Sequence, residues 1–424
     1  MIKNIYTSHK ETANNFFWRG LQVFGKQGMS IIIFFLFAKI FSPYDLGIYS
    51  YIMASIVLLA MLSDFGVTSA TSKYVAEYNV RDKEKLKLLL FNSVIIIVFL
   101  ASILAIAILL FGKSFFADKF SYVIWALPMI FTYPLSSLID GFYVGTKRFK
   151  ELALITNILG LLSLVYFYLL SKSFGVFGAL MSQNIFYASI LIVLVLRYKG
   201  TNIFKVNKEI IKTMSYYSII IGLGSVGNFL YSNVDILVLG KFGLIDGIAY
   251  YAVVYKIFSI LLLPMIILAT VVAPNVTRLF ALKKYSTIRS KMLKESGLLL
   301  IFGIIASIGV YFITPFVFKI FFPQYNLSLI MQYLLLLLIL VPFRLFSTYI
   351  SIAYIVSSGH AMITTIMLLI FGFVNLVLDI FLISVFGFIG VIYATLISQF
   401  MLILFKDPYF WYTLNQYMKK ESIQ

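Results

Sequence analysis

Cysteine is absent from this chain, and only two of its 424 residues are histidine. The first absence excludes disulfides, thiolate nucleophiles and cysteine-ligated metals. The second leaves too few imidazoles for a histidine metal site or histidine-based catalysis. Charge is scarce as well. Asp, Glu, Lys and Arg make up 12% of the residues, about half the share of a soluble domain, and the acids are outnumbered 16 to 34. Hydrophobic residues fill the space, at 62% against about 45–50% in soluble proteins. The apolar runs reach twenty residues and more, whereas a membrane β-barrel shows alternating segments of about ten. The composition predicts an all-α integral membrane protein with membrane lipids as its solvent, and no cofactor.

Twelve apolar segments are expected, near 14–40, 46–66, 88–112, 120–142, 153–171, 176–196, 213–240, 247–272, 296–321, 328–355, 362–385 and 388–406. The spacers after the second, fourth, sixth and eighth are basic. They carry Lys73, Arg81, Lys83, Lys85 and Lys87; Lys147, Arg148 and Lys150; Arg197, Lys199, Lys205, Lys208 and Lys212; and Arg278, Lys283, Lys284, Arg289, Lys291 and Lys294. Basic loops stay in the cytoplasm, so an even number of spans with both termini cytoplasmic is expected. The net charge of +18 is therefore a topology signal, and no nucleic-acid partner is expected. Lys3 and Lys10 precede the first span without a small-residue cleavage site, so no cleaved signal peptide is expected.

The chain resembles itself. FGVFGALMSQ at Phe174–Gln183 and FGFIGVIYATLISQ at Phe386–Gln399 share a Phe-Gly-x-x-Gly element, and Gly175 and Gly387 lie 212 positions apart, half the length. Lys39, Asp45 and Tyr49 find echoes in Lys241, Asp246 and Tyr250. Two parallel, pseudo-symmetric six-helix bundles follow, over 1–200 and 201–406, with a cytoplasmic tail at 407–424. The tail's Tyr409, Phe410, Trp411 and Tyr412 read as an interfacial aromatic belt.

Among the ionisable residues inside the expected spans are Arg19, Lys26, Asp64, Asp140, Asp235, Lys256, Arg344 and Asp379. Facing lipid, each costs roughly 2.5–3.5 kcal/mol at a helix centre, so they are expected to face an interior. Counting about 1.5 Å of rise per residue puts Lys26 roughly 18 Å from the start of the first span. Arg344 falls midway along its own, and the acids fall toward helix ends. Arg19, Gln22, Lys26 and Ser30 recur at one-stripe spacing. The arrangement predicts a cavity that accepts an anion, with Arg19, Gln22, Lys26, Lys256 and Arg344 as candidate ligands. Asp235 and Lys256 have similar depth and could instead form a structural ion pair, and Asp64 and Asp140 could cap neighbouring loops. The LFGKS at Leu110–Ser114 lacks the first glycine of a phosphate-binding loop, so no nucleotide-driven motor is expected.

The polar first span, then Ser42-Pro43, Leu46-Gly47-Ile48-Tyr49 and Asp64-Phe65-Gly66, with NVDILVLGKFG (Asn233–Gly243) and AYYAVVYKI (Ala249–Ile257) in the second half, resembles the bacterial polysaccharide flippases. These form the polysaccharide transporter branch of the multidrug/oligosaccharidyl-lipid/polysaccharide exporter superfamily. The resemblance implies a MATE-like fold with a central cavity and no enzymatic activity. It implies translocation of undecaprenyl-diphosphate-linked oligosaccharide, an O-antigen or capsule repeat unit, to the outer leaflet of the bacterial inner membrane. It further implies Asp64 and Asp235 as candidates for ion or proton coupling, and a polysaccharide polymerase and a chain-length regulator as partners. A multidrug exporter and a peptidoglycan-precursor flippase stand as alternatives within the superfamily. A membrane glycosyltransferase would need catalytic carboxylates or a large outer loop, and no outer spacer exceeds about ten residues.

Overall fold

The computed structural model describes residues 2–198 and 204–421, with side chains from Asn14 and then Phe17 to Lys419. Lys199 and the expected boundary at 200/201 lie outside the described residues, as do the side chains of Lys3 and Lys10. Helices dominate, as a lipid-embedded chain requires, because only a helix satisfies its backbone groups within one segment. The order runs α1 (Ile2–Ile40), α2 (Pro43–Asp64), α3 (Val67–Arg81), α4 (Lys83–Phe116), α5 (Phe120–Ala126), α6 (Met129–Gly145) and α7 (Phe149–Leu196). It continues with α8 (Lys208–Ser232), α9 (Val234–Lys241), α10 (Ile245–Ala281), α11 (Tyr285–Phe321), α12 (Leu327–Ile350), α13 (Ala361–Phe386) and α14 (Ile389–Glu421). A π-helical stretch, Ser351–Val356, extends α12.

Among the described residues, ten helical stretches are long and apolar enough to cross a membrane. The 17-residue α6 adds a pass, and α7 supplies two, because its backbone leaves helical geometry at Gly175 (φ 57°, ψ −136°). Beyond that point the chain doubles back, and Ser182 Oγ reaches the carbonyl of Tyr166. The protein is thus a multi-pass membrane protein with the twelve apolar rods the sequence predicts.

Two compact units divide the chain: residues 1–41 with 48–226, and 42–47 with 227–424. Each is built on the same device. Gly387 ends α13 at φ 63°, ψ −143°, nearly the geometry of Gly175. A Cβ on Gly178 would stand 1.9 Å from the carbonyl oxygen of Leu170, and one on Gly390 would stand 2.2 Å from that of Leu382. All three pairs are 212 positions apart. Only glycine permits both the positive φ and the close approach, so the Phe-Gly-x-x-Gly echo marks one hairpin used twice.

Three boundaries differ from the sequence reading. The basic spacer after α2 is itself a helix, α3, whose Val67, Ala70, Thr71 and Val75 are buried. Thr71 donates to Ser93 of α4 at 3.0 Å, so four inward residues outweigh the spacer's charges. The seventh segment breaks at Asn233 (φ −141°, ψ −7°), which separates α8 from α9. Past residue 406 the chain continues in α14, whose Phe410 and Leu414 are each 1% exposed.

Candidate functional site

In the first unit α1 presents the polar stripe. Arg19 Nη1 donates to Gln22 Oε1 at 2.6 Å, and Gln22 is buried at 2% exposure. One turn further, Lys26 Nζ lies 3.6 Å from Asp140 Oδ2 of α6, with the lysine side chain 43% exposed. The sequence count separates these two by depth, and the structure joins them. The reason is side-chain direction: helical side chains lean toward the N-terminus, so Lys26 reaches back to a carboxylate five residues from the end of α6. The stripe is pressed against α7. A Cβ on Gly25 would overlap Asn157 at 1.5 Å, and Asn157 donates to the carbonyl of Leu21 at 3.2 Å. Gly25 therefore lets α7 touch the backbone of α1 and holds the stripe in orientation.

Asp64 has a structural partner set. Its carboxylate accepts from the amides of Gly66 (3.2 Å) and Thr68 (2.9 Å) and from the Thr68 hydroxyl. It ends α2 and starts α3 across a corner where Phe65 and Gly66 take positive φ. This is the capping alternative raised by the sequence.

Asp235 of the second unit is 1% exposed and occupies the first turn of α9, where the helix dipole favours a negative charge. Its Oδ1 accepts from Asn375 Nδ2 at 3.1 Å and from the Thr395 hydroxyl at 3.0 Å. Ser398 donates to Asn375 Oδ1 at 2.6 Å, and the Tyr251 hydroxyl meets Thr395 Oγ1 at 3.2 Å. Asp379, fully buried, stands one helical turn beyond Asn375 on α13, on the face from which Asn375 reaches Asp235. Both oxygens of Asp379 and Oδ2 of Asp235 carry no hydrogen bond among the described residues. Two carboxyl groups buried in one apolar bundle do not both hold bare charges there, and protonation or a bound cation removes that cost.

Arg344 of α12 points into the second unit. Its Nη1 donates to the Tyr231 hydroxyl at 2.8 Å, and its guanidinium lies 4.8 Å from that ring's centroid. Lys256 is half-buried on α10, where Ser259 Oγ donates to its carbonyl at 2.8 Å. Arg19, Gln22 and Lys26 thus belong to one unit, and Lys256 and Arg344 to the other.

Sequence reading missed Lys406 and Asp407, placed at the edge of the last span. Lys406 is 3% exposed; its Nζ donates to Ser347 Oγ at 3.0 Å and lies 3.4 Å from Asp407 Oδ1. A signal was available: Thr395, Ser398, Gln399 and Lys406 recur at i, i+3, i+4 and i+11 along one face of α14. Glu295 was missed too, and accepts hydrogen bonds from Tyr349 and Tyr354.

Several solved structures share this fold. A multidrug resistance MATE family transporter of the MOP superfamily, in an inward-facing conformation, is 14% identical with a TM-score of 0.75, over 93% of this chain and 96% of that one. The lipid II flippase MurJ in an inward closed conformation is 18% identical with a TM-score of 0.70, over 91% and 86%. A MOP superfamily transporter from Pyrococcus furiosus, described by the reverse polarity of its binding pocket, is 15% identical with a TM-score of 0.61, over 96% of each chain. No curated protein sequence matches the chain. The family described as polysaccharide biosynthesis protein matches residues 12–280, more than half the length. With a MATE-like fold and that match, the chain is a membrane protein belonging to the polysaccharide biosynthesis protein family.

Proposed function

We propose that this protein is a flippase that carries an undecaprenyl-diphosphate-linked oligosaccharide from the inner to the outer leaflet of a bacterial inner membrane by alternating access. The observation that carries the reading is the polar stripe of α1, in a chain of the polysaccharide biosynthesis family. Arg19 and Lys26 are held by Gln22 and Asp140 rather than by lipid, and Lys26 keeps much of its side chain open. A diphosphate recruits such a lysine readily, since an exposed ion pair with Asp140 contributes only about 0–1 kcal/mol. In this reading Lys256 and Arg344 contribute from the second bundle, and both termini are cytoplasmic because the basic spacers all fall on their side. The Asp235–Asp379 pair couples transport to a cation, while Asp64 holds the α2–α3 corner. The oligosaccharide belongs to an O-antigen or capsule pathway, and the flipped product passes to a polymerase with its chain-length regulator.

The test is complementation of a strain lacking the gene. Lys26→Glu and Arg344→Glu should each abolish surface polysaccharide with the protein still present in the membrane. Normal polysaccharide from both would sink the anion-binding reading. A deletion that raises drug sensitivity with polysaccharide intact would favour a multidrug exporter. A lethal deletion that halts cell-wall synthesis would favour a peptidoglycan-precursor flippase, whose substrate carries the same diphosphate chemistry.

A further inference from the structure

Several buried polar groups of the second unit follow one face of α14 and the helices packed against it. At one end, beside the Gly387 hairpin, stand Asp235 and Asp379 with Asn375, Thr395 and Ser398. Gln399 follows on α14, fully buried, with neither amide atom hydrogen-bonded among the described residues. Tyr231 comes next, holding Arg344. Lys406 and Asp407 close the column as an ion pair, 3.4 Å apart, with Lys406 also donating to Ser347. Lys406 is eleven residues beyond Thr395 on one helix, about 16 Å along its axis. Leu402, 1% exposed, sits between Gln399 and Lys406 on the same face and packs with Tyr231 and Phe371.

The charges along this column are unequal. Its hairpin end holds two carboxyl groups. Its far end holds two cations, Arg344 and Lys406, against one carboxylate, Asp407, and is net positive. Buried polar atoms without partners attract water or ions, so a continuous polar column through a bundle is a leak path unless something closes it. Apolar packing closes it in part through Leu402. A fixed positive charge closes it to cations in particular, as arginines and helix dipoles do in water-selective pores.

We propose that Arg344 and Lys406, set by Asp407 and Ser347, form a cationic plug that makes the acid pair accessible from one side of the second bundle only. The inference rests on the reading of Asp235 and Asp379 as a cation site. It adds the reason that a cation entering from the outer leaflet side does not run through the bundle to the cytoplasm. The plug forces release through the conformational change of transport, which makes coupling tight.

The purified full chain in proteoliposomes, without any lipid-linked substrate, provides the test. Sodium uptake is followed with a radioactive tracer, and proton entry with an entrapped pH-sensitive dye. Wild type should be no leakier than protein-free vesicles. Lys406→Met and Arg344→Gln should each raise substrate-independent cation flux at least about tenfold, whereas Lys406→Arg and Asp407→Asn, which keep the far end positive, should remain tight. Folding is checked by monodisperse gel filtration, and the parent reading by a sodium- or proton-dependent thermal shift that Asp379→Asn removes. Neutralised variants that retain that thermal shift and do not leak overturn the plug alone. Leakage from Asp407→Asn equal to that from Lys406→Met also overturns it, because lost packing rather than lost charge would then be the cause. A wild type with no thermal shift in either cation overturns the parent reading separately.

Discussion

The two bundles share a hairpin and differ in what they place beside it. Positions 212 apart set Phe167 against Asp379, Ser163 against Asn375 and Gln183 against Thr395. In the first bundle Phe167 is fully buried and packs edge-on against Phe37, their ring centroids 5.6 Å apart. Phe37 in turn meets Tyr49 at 4.7 Å, and Gln183 donates to the Tyr49 hydroxyl at 2.8 Å. In the second bundle the corresponding space holds two carboxyl groups, with Asn375 and Thr395 donating to Asp235. Phe167 and Asp379 are both fully buried, as are Ser163 and Asn375, so at these positions the difference is chemical and not one of burial. A site that keeps two acids where its twin keeps an aromatic cluster gives up stability, and function is the reason proteins accept such a loss.

The largest expected effect comes from moving the second bundle's chemistry into the first. Phe167→Asp buries a carboxylate with no partner set and should cost about 3–5 kcal/mol, seen as a large drop in the thermal unfolding midpoint in detergent. A midpoint close to wild type would show that the twin position tolerates charge and that the comparison has no force. The reverse exchange sharpens it. Asp379→Leu should lower cation-dependent transport by about 10–100-fold, the usual cost of removing an ion-site partner. The same change should leave the protein as stable as wild type or up to about 1–4 kcal/mol more so. Loss of both stability and transport would make Asp379 a structural residue.

The hairpins themselves should respond alike. A Cβ at Gly175 or Gly387 meets no atom within 4 Å, so alanine at either pays the backbone cost alone, about 1–3 kcal/mol. Matched midpoint shifts are expected, and a shift at only one position would break the structural equivalence. The smallest effect belongs to Lys26 and Asp140. A double-mutant cycle with Lys26→Met and Asp140→Asn should give a coupling of about 0.2–1 kcal/mol in stability. A coupling well above that range would make the bridge a structural clamp, with the lysine no longer available to a diphosphate.

Much of this was legible in sequence, for local reasons. Long apolar runs gave the rods, and the Phe-Gly-x-x-Gly echo gave the repeat because a positive-φ hairpin admits few residues. Arg19 and Gln22 were readable as partners because three residues make neighbours on a helix. What escaped depended on packing. Nothing near Lys26 in the chain announces Asp140, 114 positions on, and nothing near Asp235 announces Asp379. Helix α3 hid in its own charges, since its buried face is four residues wide. Lys406 was lost to a boundary: it stands on the last residue of the expected span, while the helix continues past it and carries it inward.

The central claim is that the second bundle couples a cation to the movement of a diphosphate-linked oligosaccharide. Its most direct measurement is translocation of undecaprenyl-diphosphate-linked oligosaccharide in proteoliposomes, with and without an imposed sodium or proton gradient. It compares wild type with Asp235→Asn and Asp379→Asn. The account predicts that a gradient accelerates translocation by wild type and leaves both variants unchanged. Equal wild-type rates with and without either gradient, or full acceleration in both variants, would contradict it.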